Sequence, residues 1–236
     1  MPQAETREYS SFRDPSGTVF ERDGAVYRRI YPVYTPHYEH LMRSGLYKAL
    51  TDEGLLIPHE QVEERALLQG GREVVIRPEQ IPFISYPYEW CFEQYQDAAL
   101  VTLEAQRRAL QFGMTLKDAS AYNAQFFKGR AVLIDTLSFE TYTDGPWPAY
   151  GQFCRHFFAP LALMAHLDER AGKMTQTYID GIPLDLADVL LRGKGGFAAW
   201  QHIHLHARAV RRFGGAGEGA ESVKPITLKK EVLAAI

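Results

Sequence analysis

Residues 116–135 read LKDASAYNAQFFKGRAVLID, and their order decides the fold. Asp118 is followed five residues later by Asn123. Then come a short strand pattern, a Lys128-Gly129 turn, an apolar strand and, at its end, Asp135. The two strands return Asp135 beside Asn123, so both can face one ion. Phosphoryl transfer needs these residue types together: a carboxylate to orient the attacking hydroxyl and take its proton, and an amide oxygen and a second carboxylate to hold Mg²⁺ against the phosphates. Hard oxygen ligands suit Mg²⁺, which keeps water and phosphate as the rest of its shell. The competing reading is a polar turn, a helix cap and a strand-ending aspartate, positions that Asp and Asn favour for local hydrogen bonding alone.

Working outward, the spacing predicts a long helix over Phe92–Phe112, with Leu100, Leu103 and Leu110 near helical period and Gly113 as its stop. Tyr86 to Trp90 reads as an extended connector, because proline disfavours helix in the preceding residue. Further upstream, Thr18–Phe20 and Ala25–Ile30 flank an Asp23-Gly24 hairpin turn. A proline-bearing connector over 31–36 leads to a helix over His37–Thr51, whose Leu41, Tyr47 and Leu50 can share a face and which Gly54 closes. Short strands are expected at Leu55–Pro58, Val62–Leu68, Glu73–Ile76 and Ile81–Ser85, with Gly70-Gly71 turning between two of them. Downstream, helices are expected over Tyr150–Leu167, Leu184–Leu191 and Trp200–Arg212. The first carries Phe153, Phe157, Leu161 and Met164 on one stripe. Gly214–Gly219 reads as a glycine-rich linker. The expected fold is α+β. Residues 1–85 form a small antiparallel-sheet lobe with one helix, 86–91 a hinge, and 92–213 a mostly helical lobe with an embedded hairpin. Residues 214–236 read as a linker or the start of a further domain.

The 116–135 segment resembles the catalytic loop and metal-binding motif of the protein-kinase and aminoglycoside-phosphotransferase superfamily. By that resemblance Asp118 would be the catalytic base, and Asn123 and Asp135 the metal ligands. Arg29 would stand for the phosphate-pairing lysine and Glu39 for its ionic partner. Ser16-Gly17 would be what remains of the glycine-rich phosphate loop, and Tyr86 to Glu89, Tyr88 among them, the hinge beside an adenine pocket. ATP and Mg²⁺ are the cofactors this implies, with an unknown small-molecule or protein hydroxyl as acceptor. The chain departs from the family in several places. Leu116 replaces the histidine, Lys117 intervenes before Asp118, and Thr136-Leu137 follows Asp135 in place of Phe-Gly. Arginine for lysine keeps the charge but not the geometry. These departures bear on turnover more than on fold, so a catalytically degenerate module that binds or positions substrate is the alternative.

A second resemblance covers nearly the whole chain. ISYPYEW, GMTLKDASAYNAQF, VLIDTLSFE, FCRHFFAPLALMAHLD, YIDGIPLDLA and HIHLHAR are similar to the N-terminal region of bacterial proteins that carry a class I S-adenosylmethionine-dependent methyltransferase domain downstream, often described as nodulation-type. A methyltransferase domain, attached or separate, is the partner this implies. No strand, glycine-rich turn and acidic residue at Rossmann spacing follows residue 200, so no S-adenosylmethionine site is expected in this chain itself.

Composition is that of an ordinary globular protein, 46% hydrophobic and 23% charged. A net charge of −3 gives no global electrostatic case for nucleic acid. The N-terminus lacks a signal-peptide pattern, and the apolar run at 157–165 is too short to span a bilayer. A cytoplasmic location is the resulting expectation. Cys91 and Cys154 fit no metal spacing and read as buried or semi-buried thiols. His202, His204 and His206 alternate, yet no acid or cysteine completes a metal site near them, so a helix with a wetted basic face is the plainer reading. Arg155-His156 reads as a packed histidine beside an arginine paired with an acid.

Overall fold

A computed structural model describes residues 6–7, 14–63, 73–194 and 208. Strand β1 (Thr6–Arg7), β2 (Gly17–Arg22), β3 (Ala25–Ile30), β4 (His59–Val62) and β5 (Val74–Pro78) build one antiparallel sheet in the order β1-β2-β3-β5-β4. The β2–β3 hairpin turns at Asp23-Gly24, both with positive φ, which a tight two-residue loop between twisted strands demands. Register sorts β3 onto two faces. Arg28 and Ile30 share one face with Val74 and Ile76, and Ile30 and Ile76 pack there with Tyr34, Tyr38 and Leu137. Tyr27 and Arg29 lie on the other, with Phe20 and Val75.

The helix expected over His37–Thr51 is two helices, α1 (Thr35–Arg43) and α2 (Leu46–Asp52). Gly45, with φ 87°, breaks them apart in a conformation glycine alone adopts at little cost. Leu41, Leu46 and Leu50 are nevertheless fully buried, so the apolar stripe survives the break. Leu55–Pro58 forms only a bridge, Leu56 to Leu133, through which Ile57 N–H and Leu133 N–H bond to the carbonyls of Leu133 and Leu55. Ile81–Ser85 is not a strand. Pro82 lies within it and Pro87 follows it, and the Gln125 amide serves both polar groups of the Ser85 backbone at 3.0 and 2.9 Å. The expected strand over Val62–Leu68 keeps only its first residue in β4. Glu63 lies outside the strand, and residues 64–68, Gly70-Gly71, all of Trp200–Arg212 but Arg208, and 214–236 lie outside the described residues.

A 3₁₀ turn at Pro87–Glu89 leads into α3 (Phe92–Gln111), the spine of the main core. Its buried face is set by Tyr95, Ala98, Val101, Ala105 and Ala109 together with Leu110; of the expected leucine row Leu103 packs at the edge and Leu100 is 57% exposed. Small alanines let β6 (Met114–Leu116) and β8 (Arg130–Leu133) pack close against the helix. Strand β6 pairs with β9 (Phe139–Thr141), and β7 (Ala124–Phe127) with β8, which is the embedded hairpin. The 150–166 helical stretch is α4 (Tyr150–Phe153), a π turn (Cys154–Phe158) and α5 (Ala159–His166). Pro160 offers no N–H and crowds the carbonyl four residues back; the ladder widens there, and Ala159 N–H bonds to Cys154 O. Phe153, Phe157 and Met164 face the main core, while Cys154, Ala159 and Leu163 join a second cluster with Ile182 and α7 (Leu184–Leu191). A short 3₁₀ segment (Glu169–Lys173) and α6 (Met174–Thr177) connect them. The expected fold class holds as an α+β arrangement of small antiparallel sheet, connector and helical part with a hairpin inside it. Cys154 is buried, but Cys91 is exposed, against the expectation for it.

Candidate functional site

The 116–135 segment is held from below by buried side chains. Gln106, 3% exposed on α3, accepts the Leu116 N–H at 2.7 Å and donates to Thr115 Oγ1 at 3.0 Å. Trp147 Nε1 donates to Leu116 O at 2.8 Å, and Lys117 N–H bonds to Ser138 O. The Leu116 N–H and carbonyl and the Lys117 N–H are thereby satisfied, which holds Lys117 and Asp118 at the rim of a cleft of about 240 Å³. Asp14, Lys117, Asp118, Asp135, Leu137 and Gln152 line it. Asp118 Oδ1 accepts the Ser120 N–H at 3.0 Å, and the Gln152 amide oxygen takes the Ala119 N–H at 2.7 Å.

One hydroxyl joins the two residues named as metal ligands. Ser138 Oγ accepts from Asn123 Nδ2 at 3.1 Å and donates to Asp135 Oδ2 at 3.0 Å. Asp135 Oδ1 accepts the Leu137 N–H at 2.9 Å and lies 3.1 Å from Arg28 Nη1. The other guanidinium nitrogen of Arg28 reaches Asp14 Oδ2 at 2.6 Å. Arg28 thus bridges two carboxylates across the cleft. Among the described residues no group of three or more His, Cys, Asp or Glu is placed to hold a metal ion. Mg²⁺ with a nucleotide asks for fewer protein ligands, because phosphate and water complete its octahedron. Asn123, whose amide nitrogen is one hydroxyl away from the Asp135 carboxylate, and Asp135 itself fit that demand in ligand type, with the condition that Asp135 is shared with Arg28.

The remaining expected site residues are spread more widely. Arg29, next to Arg28 but on the opposite face of β3, is 3% exposed, with its guanidinium 4.5 Å above the Phe20 ring and 3.8 Å from Glu73. Glu39 is not brought to it; it forms an exposed one-turn ion pair with Arg43 at 2.9 Å on α1. Gly17 opens β2 at a place with no room for a side chain, since a Cβ there would lie 2.2 Å from Arg29 O and 2.8 Å from Leu137 Cδ2. Tyr88 stacks on Tyr86 with ring centroids 5.4 Å apart, and its carbonyl accepts from Lys173 Nζ at 3.0 Å. His156 is buried against the edge of Tyr122, and Arg155 donates to the backbone carbonyl of Asp180.

Sequence reasoning did not name Arg28, Asp14 or Ser138. Strand parity alone would have separated Arg28 from Arg29, given which apolar face of β3 meets the cleft. Tyr34 supports the site from beneath: its hydroxyl donates to Phe139 O, and its ring lies 4.7 Å under Lys117 Nζ. Burial and then the Asp135 charge raise its pKa well above the ordinary value, so it stays a neutral phenol. His59, between Tyr38 OH (3.2 Å) and Thr136 Oγ1 (3.3 Å), is held neutral by burial, its pKa pushed down to about 4.

No family model matches the chain. The chain is 35% identical over 207 residues to the nodulation protein NoeA of Rhizobium meliloti strain 1021, a match covering 86% of this chain and 43% of that protein. The chain therefore spans less than half the length of the curated relative it matches. Among solved structures, the kinase domain of Mycobacterium tuberculosis PknI aligns with TM-score 0.36 and 12% identity over 61% of this chain and 68% of that one. The bifunctional kinase-methyltransferase WbdD aligns with TM-score 0.41 and 12% identity over 87% of this chain and 51% of that one. This chain is thus similar in sequence to a nodulation protein more than twice as long as the matched region.

Proposed function

We propose that this chain is a kinase-like module that binds ATP with Mg²⁺ in the cleft at Asp135, and that it works beside a methyltransferase domain in a longer protein. The observation that supports the first half is the Asn123–Ser138–Asp135 relay, which ties Asn123 to Asp135, a carboxylate that lines the cleft together with Asp118. Mg²⁺ held there would screen the phosphates. Asp118 has one oxygen taken by Ser120 N–H, which leaves the other to accept a proton from an acceptor hydroxyl. The second half is supported by the sequence resemblance and by length, since 57% of the NoeA sequence falls outside the match (100 minus 43) and has room for a further domain.

A binding role without turnover is the alternative, favoured by two features of the site. Arg28 already engages Asp135, and Gly17 is packed against Arg29 O and Leu137 in place of a free glycine loop. Titration calorimetry with ATP and Mg²⁺ tests the common core of both readings, with one-to-one binding expected and its loss on adding EDTA. Slow ATP turnover that vanishes in Asp118→Ala separates an enzyme from a binding module. A protein that takes up no ATP or ADP with Mg²⁺ or Mn²⁺ contradicts both.

A further inference from the structure

We infer that Lys117 is the polyphosphate anchor of this cleft, doing with one side chain from the helical part what a glycine-rich loop would do from the sheet; this rests on the nucleotide-binding reading above. Lys117 lines the cleft together with Asp14, Asp118 and Asp135. Among the described residues it makes no ion pair. Its ammonium donates to Ser16 Oγ at 2.6 Å and rests on the Tyr34 ring at 4.7 Å. Arg28, the other cation at this end, has its two terminal nitrogens committed to Asp135 and Asp14. Lys117 is thus the cation whose charge is not already matched by a carboxylate, and it stands beside Asp118, where a terminal phosphoryl group would meet its acceptor.

The surroundings suit that task. Lys117 is not drawn into a salt bridge among the described residues, and Tyr34 beneath it stays uncharged because burial raises its phenol. The backbone of Lys117 is pinned to Ser138 O, and Leu116 before it to Gln106 and Trp147, so the stem starts from a rigid point. Ser16 ends the turn that opens β2, with its N–H on Asp14 Oδ1 at 2.8 Å. Its contact with Lys117 spans the cleft from sheet to helical part. An incoming phosphate oxygen would accept the hydrogen bond that Ser16 now accepts, exchanging an ammonium–hydroxyl contact for an ammonium–phosphate ion pair. The three cleft carboxylates repel bare polyphosphate, so the anchor works on the Mg²⁺ complex.

The test is a calorimetric titration of the wild type, Lys117→Met, Lys117→Arg and Lys128→Met, each with ATP and separately with tripolyphosphate, in Mg²⁺ buffer. Lys128 is a surface control, paired with Glu79 on the β7–β8 turn. Lys117→Met is expected to weaken both ligands about tenfold or more, as loss of a charged hydrogen bond does. Lys117→Arg should recover most of the loss, and Lys128→Met should match the wild type. If ATP binds and Lys117→Met binds it as tightly as wild type, the anchor is wrong while the nucleotide reading stands. If tripolyphosphate binds through Lys117 but ATP does not, the anchor stands and the nucleotide reading falls. Failure of the wild type to bind either ligand overturns both.

Discussion

Arg28 and Arg29 differ by one position and by everything that surrounds them. Alternation along β3 sends Arg28 to the cleft, where it spans Asp14 and Asp135, and Arg29 to the far face over Phe20. The side chains of Arg28 and Asp135 are 15% and 14% exposed, so their attraction is screened far less than that of a surface pair. Replacing Arg28 by Met strands two carboxylates, and a cost of about 2–3 kcal/mol in unfolding free energy is expected. A cycle of Arg28→Met with Asp135→Asn should show a coupling of about 1–3 kcal/mol by urea unfolding. Additive effects would mean the bridge contributes nothing. The family resemblance points to Arg29 as the phosphate-pairing cation, yet it is Arg28 that reaches Asp135, because parity depends on which sheet face meets the helical part. That face is chosen by Ile30, Ile76 and Leu137, the last of them 107 residues from Ile30 in the chain (137 minus 30). The loop, hairpin and strand-ending aspartate of residues 118–135 were legible because their pattern is local.

At the scale of elements, local signals were read well and broken ones were not. The Asp23-Gly24 hairpin, α3 and the β7–β8 hairpin stand within a residue or two of their expected bounds. Gly45 split a helix whose apolar stripe ran on regardless, and Pro160 put a π turn inside another. Ile81–Ser85 had the apolar content of a strand, but its backbone is served by the Gln125 side chain instead of a neighbour strand. Gln106 does similar work for β6. Gln106→Leu keeps the bulk but strands the Leu116 N–H in a buried place, a loss of about 1–3 kcal/mol. Hydrogen exchange at Leu116 and Lys117 should accelerate more than exchange along β2 and β3. Uniform acceleration, or none, would deny Gln106 its role in holding the site segment.

Over the whole molecule, sheet and helical part meet through polar contacts as well as apolar ones: Arg28 to Asp135, Lys117 to Ser16, and His59 to Thr136. His59 and His156 are both buried and neutral, with pKa values lowered from 6.5 to about 4 by burial. A lowered histidine pKa means the unfolded chain binds the proton more readily. Stability is therefore complete above pH 6.5 and falls as pH drops from 6.5 toward 4, by roughly 2–3 kcal/mol for each histidine at pH 4.5. His59→Gln should remove about half of that histidine loss in urea midpoints taken at pH 7 and pH 4.5; an unchanged difference would mean that His59 does not titrate on unfolding. Among the described residues no helix is long and apolar enough to cross a membrane. The central claim concerns the cleft between these parts, and calorimetry on Asp135→Asn tests it most directly. The account predicts one-to-one binding of Mg²⁺ and ATP by the wild type and no measurable heat from the variant, which should still fold; equal binding by the two proteins would contradict it.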